Sequence, residues 1–199
     1  MNDINELEKR IDGCINILNK VRTFLSHCKS FLSADLTQEE KELINRIQIV
    51  KDTIHANWVI TILELCKLID DSPSHKYNLF KLCRCIRNDW HSINLSDRIS
   101  LTDFGEIERK LNSSAISDRI ISIKTLRDKY YAHTDKDNPH PESELIPSFE
   151  KIELLINDLK IVLCDLKSKI IKVDYIFVPV FQVDYLMLKD LNIGLKSHE

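Results

Sequence analysis

Glycine and proline are scarce: the chain of 199 residues holds three glycines and five prolines, where ordinary usage gives roughly 14 and 10. Glycine supplies the left-handed backbone that tight hairpins and phosphate-cradling loops require, and Gly13, Gly105 and Gly194 each stand alone. A P-loop or a dinucleotide fingerprint needs closely spaced glycines and is thereby excluded. Any phosphate must be held by side chains. Long apolar runs are also missing. None approaches the roughly 18 residues of a membrane span, and the start Met1-Asn2-Asp3 lacks the charged and apolar regions of a signal peptide. The expectation is a cytoplasmic protein with no membrane partner. With 28 basic and 31 acidic side chains the net charge is −3, so no bulk field draws nucleic acid and a basic site must be local.

Metal-ligand spacing is lacking as well. The six cysteines, Cys14, Cys28, Cys66, Cys83, Cys85 and Cys164, sit inside apolar patterns and read as reduced core thiols. Cys83-Arg84-Cys85 with His91 falls short of the four ligands of a structural zinc site, which usually begin with two cysteines separated by two to four residues. Neither a metal nor a cofactor is expected.

What is present is helical periodicity. Ile4, Leu7, Ile11, Cys14, Leu18, Val21, Leu25, Cys28 and Leu32 advance in steps of three and four, a heptad seam. The stepping returns at Phe149, Ile152, Ile156, Leu159, Leu163, Leu166 and Ile170. These two long helices can pack on each other or on a second copy. Thr37-Gln38-Glu39-Glu40 has capping-box form and opens a long helix carrying Ile47, Val50, Ile54, Trp58, Ile62, Leu65 and Ile69. A shorter helix holds Leu79, Leu82, Ile86 and Trp90, Thr102 or Asp103 caps another, and Ser113-Ser114 opens one that carries Ile116, Ile120 and Ile123 into Arg127. Residues 135–141 are turn chemistry. Residues 173–181 are β-branched and aromatic, but Pro179 denies them a central strand, so an extended tail and a short helix near Tyr185 to Leu191 are expected. The reading is an all-α fold: a single bundle of about five to six helices over residues 1–171, with a C-terminal segment over 172–199 packed on it.

One seam position is charged. Steps of four and three from Ile116 reach Ile120, Ile123, Arg127 and Tyr130, so an arginine lands in the apolar stripe. A guanidinium cannot shed its charge, and burial without a partner costs roughly 3–5 kcal/mol. Taken alone, Arg127 reads as a structural ion pair with an acidic side chain on a neighbouring helix. His133 follows it in Leu126-Arg127-Asp128-Lys129-Tyr130-Tyr131-Ala132-His133-Thr134-Asp135. On an ideal helix the two are about 120° apart and about 9 Å along the axis. They meet one phosphate only if the helix loosens, the arginine reaches back, or two copies face each other.

An arginine, an adjacent polar residue and a histidine on a late helix of a small bundle resemble the HEPN superfamily. The stretch Arg127 to Asp135 resembles its AbiU-type branch, named for bacterial abortive-infection systems that act against phage. Trp58 to Asp71, ending Leu65-Cys66-Lys67-Leu68-Ile69-Asp70-Asp71, and Tyr77 to Leu82 are similar to that branch too. The resemblance implies metal-independent RNA cleavage by a homodimer with both motifs lining one cleft. A 2′-hydroxyl attacks the adjacent phosphate, His133 handles protons, and Arg127 holds the charge developing on phosphate, leaving a 2′,3′-cyclic phosphate and a 5′-hydroxyl. Asp128 orients either residue or helps to cap the turn. Lys124, Lys129 and Lys136 supply local positive charge, and Tyr130 and Tyr131 stack on bases or belong to the core. Lys81, Arg84 and Arg87 read as a solvated face, and His55 with Trp58 as core packing. The other readings are a non-catalytic helical RNA-binding or interaction module assembled through a seam, or a toxin whose Tyr130 or Tyr131 is modified by a partner nucleotidyltransferase or antitoxin.

Overall fold

A computed structural model describes residues 3–33, 35–72, 75–131 and 146–178. Among them the chain forms seven α-helices and no strand: α1 (Ile4–Phe31), α2 (Gln38–Arg46), α3 (Gln48–Ile69), α4 (Leu79–Asn88), α5 (Leu101–Leu111), α6 (Ser114–Leu126) and α7 (Phe149–Leu166). A single turn of 3-10 helix, Leu95–Asp97, joins α4 to α5. Both α6 and α7 run on into wider π turns, Arg127–Tyr131 and Lys167–Ile171.

Local chemistry sets most boundaries. Asp3 caps α1 by accepting from the Glu6 amide at 2.8 Å. The capping box at Thr37 forms, Thr37 accepting from the Glu40 amide and Glu40 accepting from the Thr37 amide. Helix α5 starts earlier than Thr102: Ser100 accepts from the Asp103 amide at 3.0 Å, so Asp103 stands inside the first turn. The segment expected as one long helix behind Thr37 is two, because Ile47 takes an extended conformation (φ −95°, ψ 106°) between α2 and α3. That break raises the helix number above five to six.

Both seams are consumed inside the protomer. Helix α1 lies antiparallel to α3 and to α7, as Cys28 against Ile54 at one end and Lys167 against Glu8 and Asp12 at the other require. Leu7, Ile11, Cys14, Leu18, Val21, Leu25, Ile152, Leu159, Leu163 and Leu166 are all buried in one core with the inner faces of α3 to α6. Leu32 is the exception, 54% exposed, because the helix has ended at Phe31 and its C-cap turns the chain away. Each seam is thus occupied within the protomer. Beyond α7, Lys172 takes a left-handed conformation (φ 65°) and residues 173–178 then cross the bundle without regular structure. Phe177 enters the core, the Tyr175 hydroxyl accepts from Asn19 at 3.1 Å, and Arg22 donates to the Val178 carbonyl. Pro179 and the short helix expected near Tyr185 to Leu191 lie outside the described residues.

Gly13 has a packing role. A Cβ there would sit 2.3 Å from the Tyr77 ring, so the bare helix face is what lets the residues ahead of α4 lie against α1. The four thiols Cys14, Cys28, Cys66 and Cys83 are buried, and burial pushes Cys14, Cys66 and Cys83 up to about 12.

Candidate functional site

The charged C-terminal end of α6 lies against the C-terminal end of α3. Asp70, the residue that closes α3, is held from behind: its amide bonds Cys66 and its carbonyl accepts from the Asn78 side chain at 2.7 Å. Its carboxylate faces α6. Arg127 Nη1 reaches one oxygen at 2.6 Å and Lys124 Nζ the other at 2.8 Å. The Arg127 side chain is only 15% exposed. Its Nε and Nη2 meet Asp128 Oδ1 at 2.7 and 2.6 Å. The seam arginine is thus an ion pair across helices, Asp70 being the acidic side chain.

Electrostatics follow from that geometry. Burial opposes the charge on Arg127, but the carboxylates of Asp70 and Asp128 outweigh it and raise its pKa further. Burial alone would lift Asp70, yet the hydrogen bonds from Lys124 and Arg127 pull it below the usual carboxylate range. Two cations and two carboxylates cancel, so this cluster is no positive patch. The bonds to Asp70 and Asp128 occupy three of the five guanidinium N–H groups.

The helix is not ideal where the motif begins. From Arg127 to Tyr131 it widens into a π turn, a form that occurs chiefly as single turns inserted in α-helices, often at functional sites. The 120° separation of Arg127 and His133 assumed an α-helix throughout and does not carry over. Two described parts of the motif point to opposite ends of α3. Arg127 reaches back to Asp70, while Tyr131 reaches toward the other end, its hydroxyl beside the Trp58 indole and its ring set edge-on to His55 at 6.3 Å. Trp58 and Asp70 are about 18 Å apart along the helix.

Asp128 and Lys129 are exposed. Tyr130 and Tyr131 are half-buried against the core. His133 and Lys136 lie outside the described residues. His55 is not core, contrary to expectation: it is exposed beside Tyr131, since α3 turns this face outward near its start. Arg84 and Arg87 are neutralised by Asp71 and Glu108. Among the described residues no group of three or more His, Cys, Asp or Glu side chains is placed to hold a metal ion. No helix there is long and apolar enough to cross a membrane.

Sequence reasoning asked for an acidic partner without identifying it, because 57 residues separate Asp70 from Arg127 and no spacing rule spans two helices. The available signal was a carboxylate at the last turn of α3 within a stretch similar to the AbiU-type branch. Residues 38–172 match the family model HEPN_AbiU2, described as AbiU2. No curated protein and no solved structure matches.

Proposed function

The chain belongs to the AbiU2 family of HEPN domains, and from that premise we propose that it is a metal-independent endoribonuclease of a bacterial defence or toxin system, acting as a homodimer. The observation that carries this reading is Arg127: a nearly buried guanidinium, fixed by two carboxylates at the mouth of a π turn, inside the family-matched region. A cation held in advance needs little reorganisation to stabilise charge developing on a phosphorane. Two of its N–H groups are not used in the bonds to Asp70 and Asp128. In the proposed step the 2′-hydroxyl gives its proton to a base as it attacks phosphorus, the P–O5′ bond breaks, and the leaving oxygen takes a proton. His133 serves as the proton carrier and Asp128 holds Arg127 in register.

Dimerisation belongs to the proposal for a geometric reason. Arg127 is tied to Asp70 while Tyr131, the last described residue of the motif, stands beside His55, so a second copy supplies the simplest way for an arginine and a histidine to face one phosphate. Incubating RNA with wild type, Arg127→Ala and His133→Ala tests the reading, with folding of each variant checked by circular dichroism. Cleavage that leaves 2′,3′-cyclic phosphate ends and is lost in both variants is expected. Equal cleavage by all three proteins would overturn it.

One observation favours a second reading, a non-catalytic RNA-binding or interaction module: the Arg127 guanidinium already has the carboxylate partner that a purely structural ion pair requires. Such a module binds RNA in a salt-sensitive way and makes no new ends. The partner nucleotidyltransferase remains a proposal for Tyr130 and Tyr131. Modification of Tyr131 would have to reach a half-buried ring packed against the core.

A further inference from the structure

A groove of about 600 Å³ opens where the end of α1, the end of α2, the first half of α3 and the start of α7 meet. Its volume lies within the roughly 300–1,000 Å³ typical of small-ligand sites. Three rings line it: Trp58 and Phe149, set edge-to-face at 5.2 Å, and exposed His55. Exposed Lys51 supplies a cation, Asn45 and Ser148 supply polar groups, and no acidic side chain lines it among the described residues. On a chain of net charge −3 that is a local exception. A second groove of about 600 Å³, between α1, α3 and Tyr77, lacks this bias, because Glu6, Asp12 and Glu64 stand among its lysines.

The ring-lined groove adjoins the motif. Trp58 and His55, two of its walls, are the residues beside Tyr131. It lies about 18 Å along α3 from the Asp70–Arg127 pair, a span of about five stacked nucleotides at roughly 3.4 Å each. We propose that this groove binds an unpaired base of single-stranded RNA, stacking it against Trp58, His55 and Phe149 while Lys51 meets the backbone. The proposal rests on the endoribonuclease reading for its substrate and gives that enzyme a base subsite away from the reacting phosphate. An apolar helix of a partner protein is the competing occupant. A lysine with no carboxylate among the lining residues favours the anionic strand, since aromatic faces beside a cation are what single strands use.

The test uses the full chain and two strands that cannot be cleaved for lack of a free 2′-hydroxyl: a 2′-O-methyl hexamer of mixed sequence and its abasic counterpart with the same phosphates. Trp90 is buried and Trp58 half-buried, so tryptophan emission reads the groove. The base-bearing hexamer is expected to quench emission and to bind about tenfold tighter than the abasic one. His55→Ala, at an exposed position, should erase most of that difference, and Lys51→Ala should weaken both strands alike. Equal affinity for the two hexamers, or a difference unchanged in His55→Ala, would overturn the groove. So would an emission change driven by protein concentration alone, which would make this face an interface between copies. Cleavage of unmodified RNA is scored separately. Base-dependent binding without new cyclic-phosphate ends retains the groove and removes the nuclease; cleavage with no base preference does the reverse.

Discussion

Asp70 shows how one side chain ties the motif to the fold. It accepts from both Lys124 and Arg127 while Asn78 grips its backbone, so removing its charge strands a desolvated arginine on Asp128 alone. Asp70→Ala is expected to cost about 1.5–3 kcal/mol in a urea titration, the range for hydrogen bonds to charged groups. Because the folded state lowers its pKa, the Asp70 contribution is fully present above the ordinary carboxylate value of about 3.9 and is lost as pH falls through the depressed folded value. Asp70→Asn should therefore flatten the acid limb of a stability–pH curve below about pH 4. The thiols act at the other extreme. Cys14, Cys66 and Cys83 hold their protons up to about 12 when folded, whereas unfolded cysteine ionises near about 8.5. Stability should then decline as pH rises above about 9, and a thiol reagent at pH 8 should leave these three unlabelled until the protein unfolds. Labelling of all three in the native state would contradict the burial.

At the scale of elements, the helix ends are the most readable feature. Thr37 and Glu40 form the capping box that their spacing predicts, and Thr37→Ala is expected to lower stability by about 1 kcal/mol. The seams of α1 and α7 were equally legible, since stepping of three and four translates directly into one buried stripe. Two departures had tertiary causes. Ile47, apolar and in phase with α3, breaks the helix because α2 must fold back to pack Ile44 beside Phe31 and Val50. The π turn at Arg127 has no sequence signature of its own. Gly13 illustrates the same limit from the stabilising side. Alanine is the better helix former by about 1 kcal/mol, yet Gly13→Ala should destabilise the protein because its Cβ meets the Tyr77 ring. In a Tyr77→Ala background the same change should become stabilising, and thermal melts of the four proteins would read the reversal.

For the whole molecule, the core has six helices and one irregular segment as contributors. Phe177, 4% exposed and packed with Tyr175, anchors that segment, with Arg22 and Lys160 set over its ring. Phe177→Ala is expected to lower stability by about 3 kcal/mol, the lower end for loss of a buried phenyl ring; a change within error would mean the segment merely rests on the bundle. With both seams buried within one protomer, contacts between copies must use outer faces. In the proposed dimer, two motifs sharing a cleft would meet through the face that carries Arg127 to Tyr131.

The poverty of glycine and the unbroken helical stepping determined by themselves an all-helical bundle that holds any phosphate through side chains, because backbone loops and hairpins need conformations this chain seldom permits. The composition and the motif also marked Arg127 as the residue to explain. Only the tertiary structure decided that Asp70 holds it, that the helix widens there, that His55 faces a groove instead of the core while Trp58 borders both, and that the two seams are buried within one protomer. Those outcomes depend on contacts between residues tens of positions apart. Local periodicity sets which face of a helix is apolar, but the packing of whole helices decides which charged group that face meets.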